Sequence, residues 1–296
     1  MPALADWTRT SGLARLDAQV LISAVLGLSR AQQAAHPERE IHAAELERLS
    51  ALSARLRAGE PIAYVLGQRE FYGLTFQVTP DVLIPRPDTE LLVELALQKL
   101  DALPHLSTPS LLDMGTGSGA IAISIAHARP QTQVWALDAS RTALDVAQGN
   151  AQRLLDPQRS AGAVRFIQSD WFTALRTHAE SPRFDCIVSN PPYVAQGDPH
   201  LPALHHEPAL ALTGQRPNAD GLDDIRHIVA QAKGFLREEG WLLLEHGYDQ
   251  ADAVRTLLRA QGYRGVFSAR DLAGIERVSG GLCPLAQQMQ STPKIA

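Results

Sequence analysis

The segment Ser110 to Ala120, S-L-L-D-M-G-T-G-S-G-A, narrows what this chain can become more than any other. A short apolar run enters a glycine cluster and is followed by Ile121, Ile123 and Ile125. That order spells a buried strand, a tight turn and a helix, whose free N-terminal N–H groups and positive dipole end receive anionic or polar ligand atoms. Gly115, Gly117 and Gly119 permit backbone conformations and a close ligand approach that a Cβ would obstruct. A nucleotide-type cofactor is the expected occupant.

The same alternation continues downstream, so the fold class is α/β. Leu111, Val134, Val164, Ile187 and Leu243 mark five parallel strands, and stretches near Arg264 to Ser268 and Glu276 to Ser279 add an antiparallel edge. Upstream the period changes. Between Ser11 and Leu66 apolar residues recur at helical spacing, through Leu13, Leu16, Val20, Leu21 and Val25, then Leu46, Leu49, Leu52 and Leu56. Phe71, Tyr72, Phe76 and Val78 around Gly73 predict a hairpin, and Pro85 and Pro87 a stiff connection. Asp88 or Thr89 can then cap a helix carrying Leu91, Leu92, Leu95 and Leu97. The expected division is a helical domain over 1–68, a hairpin and linker over 69–90, the α/β domain over 91–283 and a mobile tail over 284–296.

Glycines alone leave the cofactor open. Gly115-x-Gly117-x-x-Ala120 satisfies a relaxed dinucleotide fingerprint, and Asp138 ends the apolar run from Val134, about twenty residues on, where an acidic residue binds a ribose hydroxyl. A dehydrogenase is therefore one reading. Two features favour S-adenosylmethionine: Asp113 before the first glycine, whose carboxylate suits a cationic methionyl group better than a pyrophosphate, and the motif Asn190-Pro191-Pro192-Tyr193 after the fourth strand. As capping residues, Asp113 and Asp138 would need no ligand at all.

That motif places an amide, two rigid carbonyls and an aromatic ring where a strand opens into a loop. The Asn190 oxygen can accept one hydrogen of a planar NH2 group and the Pro191 carbonyl the other, while Tyr193 lies against its flat face. Consecutive prolines stiffen the turn that aims them. Read without a ligand, Asn-Pro-Pro-Tyr is a strand-ending turn. The chemistry it suits is direct in-line methylation of an amide or exocyclic amino nitrogen, so adenine N6 and guanine N2 of a nucleic acid fit as well as a glutamine side chain.

D-M-G-T-G-S-G-A-I-A-I-S, Asp138, Ser169-Asp170-Trp171-Phe172 and S-N-P-P-Y together resemble the HemK/PrmC family of peptide chain release factor glutamine methyltransferases. So do R-A-G-E-P-I-A-Y-V-L-G from Arg57, R-E-F-Y-G-L from Arg69, L-I-P-R-P-D-T-E from Leu83 and L-L-L-E-H-G from Leu242. The resemblance covers nearly the whole chain. It implies a seven-stranded, Rossmann-like, S-adenosylmethionine-dependent sheet behind a helical substrate-recognition domain, and N5-methylation of the glutamine in the Gly-Gly-Gln motif of class-1 release factors. Carried over position by position, it makes Asp113, Gly115, Thr116, Gly117, Ser118, Gly119, Asp138, Trp171 and Asn190 cofactor contacts, Asn190, Pro191 and Tyr193 the catalytic group, and Asn190 to Tyr193 with Arg86 the substrate contacts. The related ribosomal-protein glutamine methyltransferases usually carry serine after the Pro-Arg pair, where this chain has Pro87 and Asp88. His205-His206 stands before Glu207-Pro208, where many members have an aromatic residue.

Composition excludes several other classes. A net charge of −5 shows no basic excess, which favours a protein substrate over stable nucleic-acid binding, although Arg55, Arg57 and Arg69 lie close together. Two cysteines, Cys186 and Cys283, make neither a disulfide framework nor a metal motif, and His200, His205 and His206 lack the spacing of a metal site. With no apolar stretch of membrane-spanning length and no leader-like N-terminus, the expectation is a monomeric cytoplasmic enzyme without a metal.

Overall fold

A computed structural model describes residues 1–103, 108–156, 158, 164–179, 182–216 and 219–284. It divides into two compact units, Met1–Gln68 and Arg69–Ala296. Apart from Pro284, the tail expected over 284–296 lies outside the described residues.

The first unit consists of α1 (Leu4–Thr10), α2 (Arg15–Leu26), α3 (Arg30–Ala35), α4 (Ala43–Arg57) and α5 (Ile62–Leu66). Helix begins earlier than the expected Ser11, because Leu4 and Trp7 are themselves buried with Leu21, Ile22, Ile41, Leu49 and Val65 in this unit's own core. The ends are coded locally. A Ser29–Gln32 capping box opens α3, and α2 stops at Gly27 in the left-handed conformation.

The boundary between units falls inside β1 (Gln68–Phe71), which pairs with β2 (Leu74–Gln77). Tyr72 and Gly73 both have positive φ, 51° and 73°, the backbone of a two-residue hairpin turn that matches strand twist. Phe71 and Phe76 meet edge to face at 6.1 Å and are buried with Leu92, Val93 and Ala96 of α6 (Glu90–Asp101).

The main sheet contains β3 (Ser110–Met114), β4 (Gln133–Asp138), β5 (Arg165–Gln168), β6 (Phe184–Ser189), β7 (Leu236–Glu245), β8 (Arg264–Arg270) and β9 (Glu276–Leu282). Their order is β5-β4-β3-β6-β7-β9-β8, with β3 to β7 parallel and β9 antiparallel to both neighbours. The last strand thus inserts between β7 and β8. α7 (Ala120–Ala128), α8 (Arg141–Leu154) and α9 (Thr173–Arg176) follow β3, β4 and β5, α10 (Ala209–Thr213) and α11 (Asp223–Gln231) lie between β6 and β7, and α12 (Ala251–Ala260) follows β7. Every residue of β3 and β6 is buried, which explains why they read as continuous apolar runs and not as alternating ones. Successive side chains still divide between the faces: Leu111, Cys186 and Val188 join α6 and α7 on one side, while Leu112, Met114 and Ile187 join α11 and α12 on the other.

The chain winds outward from β3 through β4 to β5, then returns to add β6 on the other side of β3. That reversal opens a crevice at the carboxyl ends of β3 and β6. The buried Ser189 hydroxyl donates to the Met114 carbonyl at 2.7 Å and joins the two strand ends there. A second polar tie links the hairpin to the glycine loop: the fully buried Asn150 of α8 accepts from the Gln77 N–H at 2.8 Å and donates to the Gln77 and Ser118 carbonyls at 3.0 and 2.8 Å. Asn150→Ala leaves these groups unpaired, and is expected to lower the unfolding free energy by about 1–3 kcal/mol in urea denaturation, with the m-value unchanged.

Candidate active site

The loop after β3 is held from below by the sheet. Gly115 and Thr116 N–H both donate to the Leu137 carbonyl, at 2.8 and 2.9 Å. At Gly119, φ is 83° and an added Cβ would stand 2.6 Å from Ile123 Cδ1 and 3.2 Å from Ala147 Cβ, so only glycine lets α7 start this close to α8. Gly115 and Gly117 open on a cleft, while Thr116, Ser118 and Gly119 turn into the protein.

Asp138, at the end of β4, lines this cleft. One carboxylate oxygen accepts from Gly117 N–H at 2.8 Å and the other from Ser140 N–H at 2.9 Å. Burial raises its pKa against the pull of these bonds. Each oxygen keeps a further lone pair, enough to accept from ribose hydroxyls.

Asp113 lies beneath the loop and is not among the residues lining the cleft. Its Oδ2 accepts from the Thr116 hydroxyl at 2.6 Å and from Ala122 N–H at 3.2 Å, while its Oδ1 is buried with no partner among the described residues. Burial lifts this carboxyl to about 7, although both hydrogen bonds favour the charged form.

Trp171, core or cofactor wall from sequence, lines the cleft. Its ring stands 3.9 Å from where a Gly115 Cβ would be. The indole N–H donates to the buried Asp224 at 3.0 Å, which also receives Arg216 at 2.8 Å, and Arg216 reaches on to Asp170 at 3.3 Å. The ring is thereby held as a flat wall, on a backbone at φ 46° that this network sustains.

Asn190 and Pro192 line the same cleft from the end of β6. Asn190 Nδ2 donates to the Thr89 hydroxyl at 3.2 Å, so its Oδ1 is the end left without a partner among the described residues. Pro191 is buried, and its carbonyl accepts no backbone hydrogen bond among the described residues. The half-buried Tyr193 donates from its hydroxyl to Glu245 Oε1 at 3.3 Å, and its carbonyl accepts from Gln250 Nε2 at 3.1 Å. Glu245, 1% exposed at the end of β7, is pushed up to about 7 by burial, with the Thr89 and Tyr193 hydroxyls favouring its ionised form.

Arg86 pairs with the buried Glu207, which also accepts from Ile84 N–H at 3.1 Å, while Glu90 accepts from Tyr72 N–H at 3.0 Å. One local expectation is corrected. Neither Asp88 nor Thr89 caps α6: Asp88 forms an ion pair with Arg277 at 3.4 Å, and the Thr89 hydroxyl serves Asn190. Asp224, Arg216 and Gln250 carry no motif signal, and the roles of Thr89 and Glu207, though both lie in quoted motifs, depend on partners distant in sequence. In the histidine region, His200 bonds Asp198 at 2.8 Å and His205 stacks obliquely on His206 at 4.0 Å.

A mostly parallel sheet with a glycine loop after its first strand, a carboxylate ending its second and an Asn-Pro-Pro-Tyr loop after its fourth is the arrangement expected of an S-adenosylmethionine-dependent methyltransferase. Solved structures agree on the fold. The Thermus thermophilus 16S rRNA N2 G1207 methyltransferase, in complex with AdoMet and guanosine, superposes with a TM-score of 0.51 at 22% identity over 73% of this chain and 49% of that one. Human methyltransferase 10 domain containing protein gives 0.51 at 16% over 71% and 88%. Residues 8–67 match the PrmC N-terminal domain and residues 89–207 the methyltransferase small domain. Release factor glutamine methyltransferases of Burkholderia pseudomallei and Bordetella pertussis are 54% and 50% identical, each over 95% of this chain, covering 96% and 99% of those proteins. The chain belongs to the release factor glutamine methyltransferase family. Membership weighs against the dehydrogenase and the nucleic-acid amino-methyltransferase, both of which the residues alone had left open.

The buried Asp113 has a measurable consequence for stability. Because its folded pKa is near 7 and its ordinary value 3.8, the native state holds this proton more tightly than the unfolded chain, so its contribution falls as pH rises from about 4 to about 7 and is level above. Asp113→Asn is expected to remove that loss. Urea unfolding at pH 5 and pH 8 should show the variant gaining stability relative to wild type as pH rises.

Proposed function

We propose that this protein methylates N5 of the glutamine side chain in the Gly-Gly-Gln motif of class-1 release factors, using S-adenosylmethionine. The observation that carries the proposal is the Asn190 amide, anchored by its nitrogen on Thr89 with its oxygen left to accept at the cleft edge. A donor-rich NH2 group is what such an acceptor selects.

The cofactor fits the cleft's chemistry: open backbone at Gly115 and Gly117, spare acceptor capacity on Asp138 and a flat wall at Trp171. When bound, it supplies an electrophilic methyl carbon. The protein supplies position. An amide nitrogen is a weak nucleophile because its lone pair is delocalised into the carbonyl. Asn190 Oδ1 and the Pro191 carbonyl each take one hydrogen of the glutamine NH2, and Tyr193 supports its flat face, which favours the geometry where the lone pair is available. No general base is needed before attack, and the surplus proton leaves to water.

A Gly-Gly-Gln tip offers little side-chain identity, so selection falls to surfaces elsewhere. We assign that role to the helical unit over 1–68 and to Arg86, whose guanidinium stays partly exposed while paired to Glu207. The enzyme is proposed to act as a cytoplasmic monomer without stable nucleic-acid binding.

Mass spectrometry of a release factor after incubation with the protein and S-adenosylmethionine should find one added methyl on that glutamine. Methylation of DNA or RNA in parallel reactions, with none on the release factor, would overturn the assignment. Asn190→Ala is expected to slow single-turnover transfer at saturating cofactor by about 10²- to 10³-fold, by analogy with loss of a preorganised polar partner. An unchanged rate would remove Asn190 from the chemistry.

A further inference from the structure

The acceptor motif ends in a junction that touches neither substrate nor cofactor in the transfer step. Gln250 stands at the start of α12, where its main-chain carbonyl accepts from Val254 N–H at 3.0 Å. Its side chain is spent wholly on main-chain groups. Oε1 accepts from Gly247 N–H at 2.8 Å, and Nε2 donates to the Tyr193 and Asp220 carbonyls, both at 3.1 Å. Those partners fix the direction of the amide, because a peptide N–H can only donate and a carbonyl can only accept. Gly221, at φ 74°, packs on the same junction: an added Cβ would stand 2.2 Å from the Tyr193 carbonyl oxygen and 2.6 Å from Gln250 Nε2.

We propose that Gln250 is a positioning residue for methyl transfer, fixing the exit of the Asn190–Tyr193 turn and so the place of the substrate NH2 group. The inference rests on the reading of that turn as the acceptor site. At its entry the turn is held by β6, where the buried Ser189 hydroxyl bonds the Met114 carbonyl at 2.7 Å. Within it, Pro191 and Pro192 have fixed φ, so the turn moves as a stiff piece and not residue by residue. Its aim is then decided at the exit. There Tyr193 is held twice from the end of β7: its hydroxyl donates to Glu245 Oε1 at 3.3 Å, and its carbonyl receives Gln250. The far side of the clamp is anchored as well, because Asp220, whose carbonyl shares Nε2, has its carboxylate on Arg226 of α11 at 2.9 Å. Without Nε2, two carbonyls that converge on one nitrogen lose their donor, and the Pro191 carbonyl and Tyr193 ring lose their setting relative to Asn190. Neither Gln250 nor Tyr193 lines the cofactor cleft, so the acceptor is displaced while the cofactor is not.

The test uses the full chain, S-adenosylmethionine and a release factor, at pH 8, with the wild type measured first. Gln250→Glu keeps the shape of the side chain and its acceptor for Gly247 but sets a second acceptor against the two carbonyls. Gln250→Met keeps the length and offers neither group. Single-turnover rates at saturating cofactor are measured against release-factor concentration, giving a maximal rate and a half-saturating concentration, and calorimetry gives the affinity of each protein for S-adenosylhomocysteine. A wild type that methylates no release factor overturns the functional reading and this proposal with it; once the wild type is active, the variants judge Gln250 alone.

The expected result is a maximal rate lowered by about 10- to 10²-fold in both variants, the loss that a small misplacement of a reacting group brings. The half-saturating release-factor concentration and the product affinity should each stay within about 3-fold of wild type, since the loss falls on orientation and not on binding. A side chain that merely filled space would leave Gln250→Glu at the wild-type rate, and that result would overturn the proposal. So would an unimpaired Gln250→Met, or a defect confined to release-factor or cofactor binding. Should Gln250→Glu fail to fold, Gln250→Met still decides whether the two donors aim the turn.

Discussion

Everything that makes this molecule a candidate catalyst depends on the parallel pairing of β3 with β6. Both strands are buried along their whole length, between helices on two faces, and their register brings Met114 opposite Ser189. The Ser189 hydroxyl bonds across that junction. One strand leads straight into the glycine loop and the other straight into Asn190. Two loops separated by some seventy residues thus emerge side by side at the point where the winding of the sheet reverses, which is where parallel sheets leave a crevice for ligands.

Buried polar residues then set what the crevice presents. Asp113 braces the loop through Thr116 and Ala122, Asn150 holds it to the hairpin, and Asp224 fixes Trp171 against Gly115. Glu207 and Arg86 tie the segment after the Asn-Pro-Pro-Tyr motif to the linker before α6. Each such group is costly to bury unless it is paired, so each fixes the geometry of its partners. Asp113 and Glu245 retain an unpaired oxygen apiece, and both are held near neutral pKa by burial. These are two of the buried side chains whose own hydrogen bonding is incomplete, one under the glycine loop and one at the end of β7.

The fold was legible because its signals are local. The switch from helical spacing to alternating strands and helices marks the change of architecture near residue 68, and the apolar runs of β3, β4, β6 and β7 announce themselves by composition. Less legible were α1, which carries only Leu4 and Trp7 as buried anchors, and the place of β9 between β7 and β8, since strand order depends on pairing and not on sequence order. In the site, Gly115, Gly117, Asp138, Trp171, Asn190 and Pro192 meet at one cleft as their motifs suggest. Asp113, Thr116, Ser118 and Gly119 shape it from beneath.

By itself the sequence determined the elements and the chemical types: a glycine turn that only a close-packed helix start requires, an amide followed by two prolines, and acids at strand ends. Their spacing along the chain is short, and local sterics dictate them. The tertiary structure alone decided orientation. Asn190 meets Thr89 across 101 residues, Arg86 meets Glu207 across 121, and Tyr193 meets Glu245 across 52. No local pattern encodes these pairings, because they arise only when the sheet closes and the buried groups must find partners away from water. An Asn-Pro-Pro-Tyr motif by itself leaves the Asn190 amide free to turn either end outward; the hydroxyl that receives its NH2, Thr89, is one that only the fold brings near.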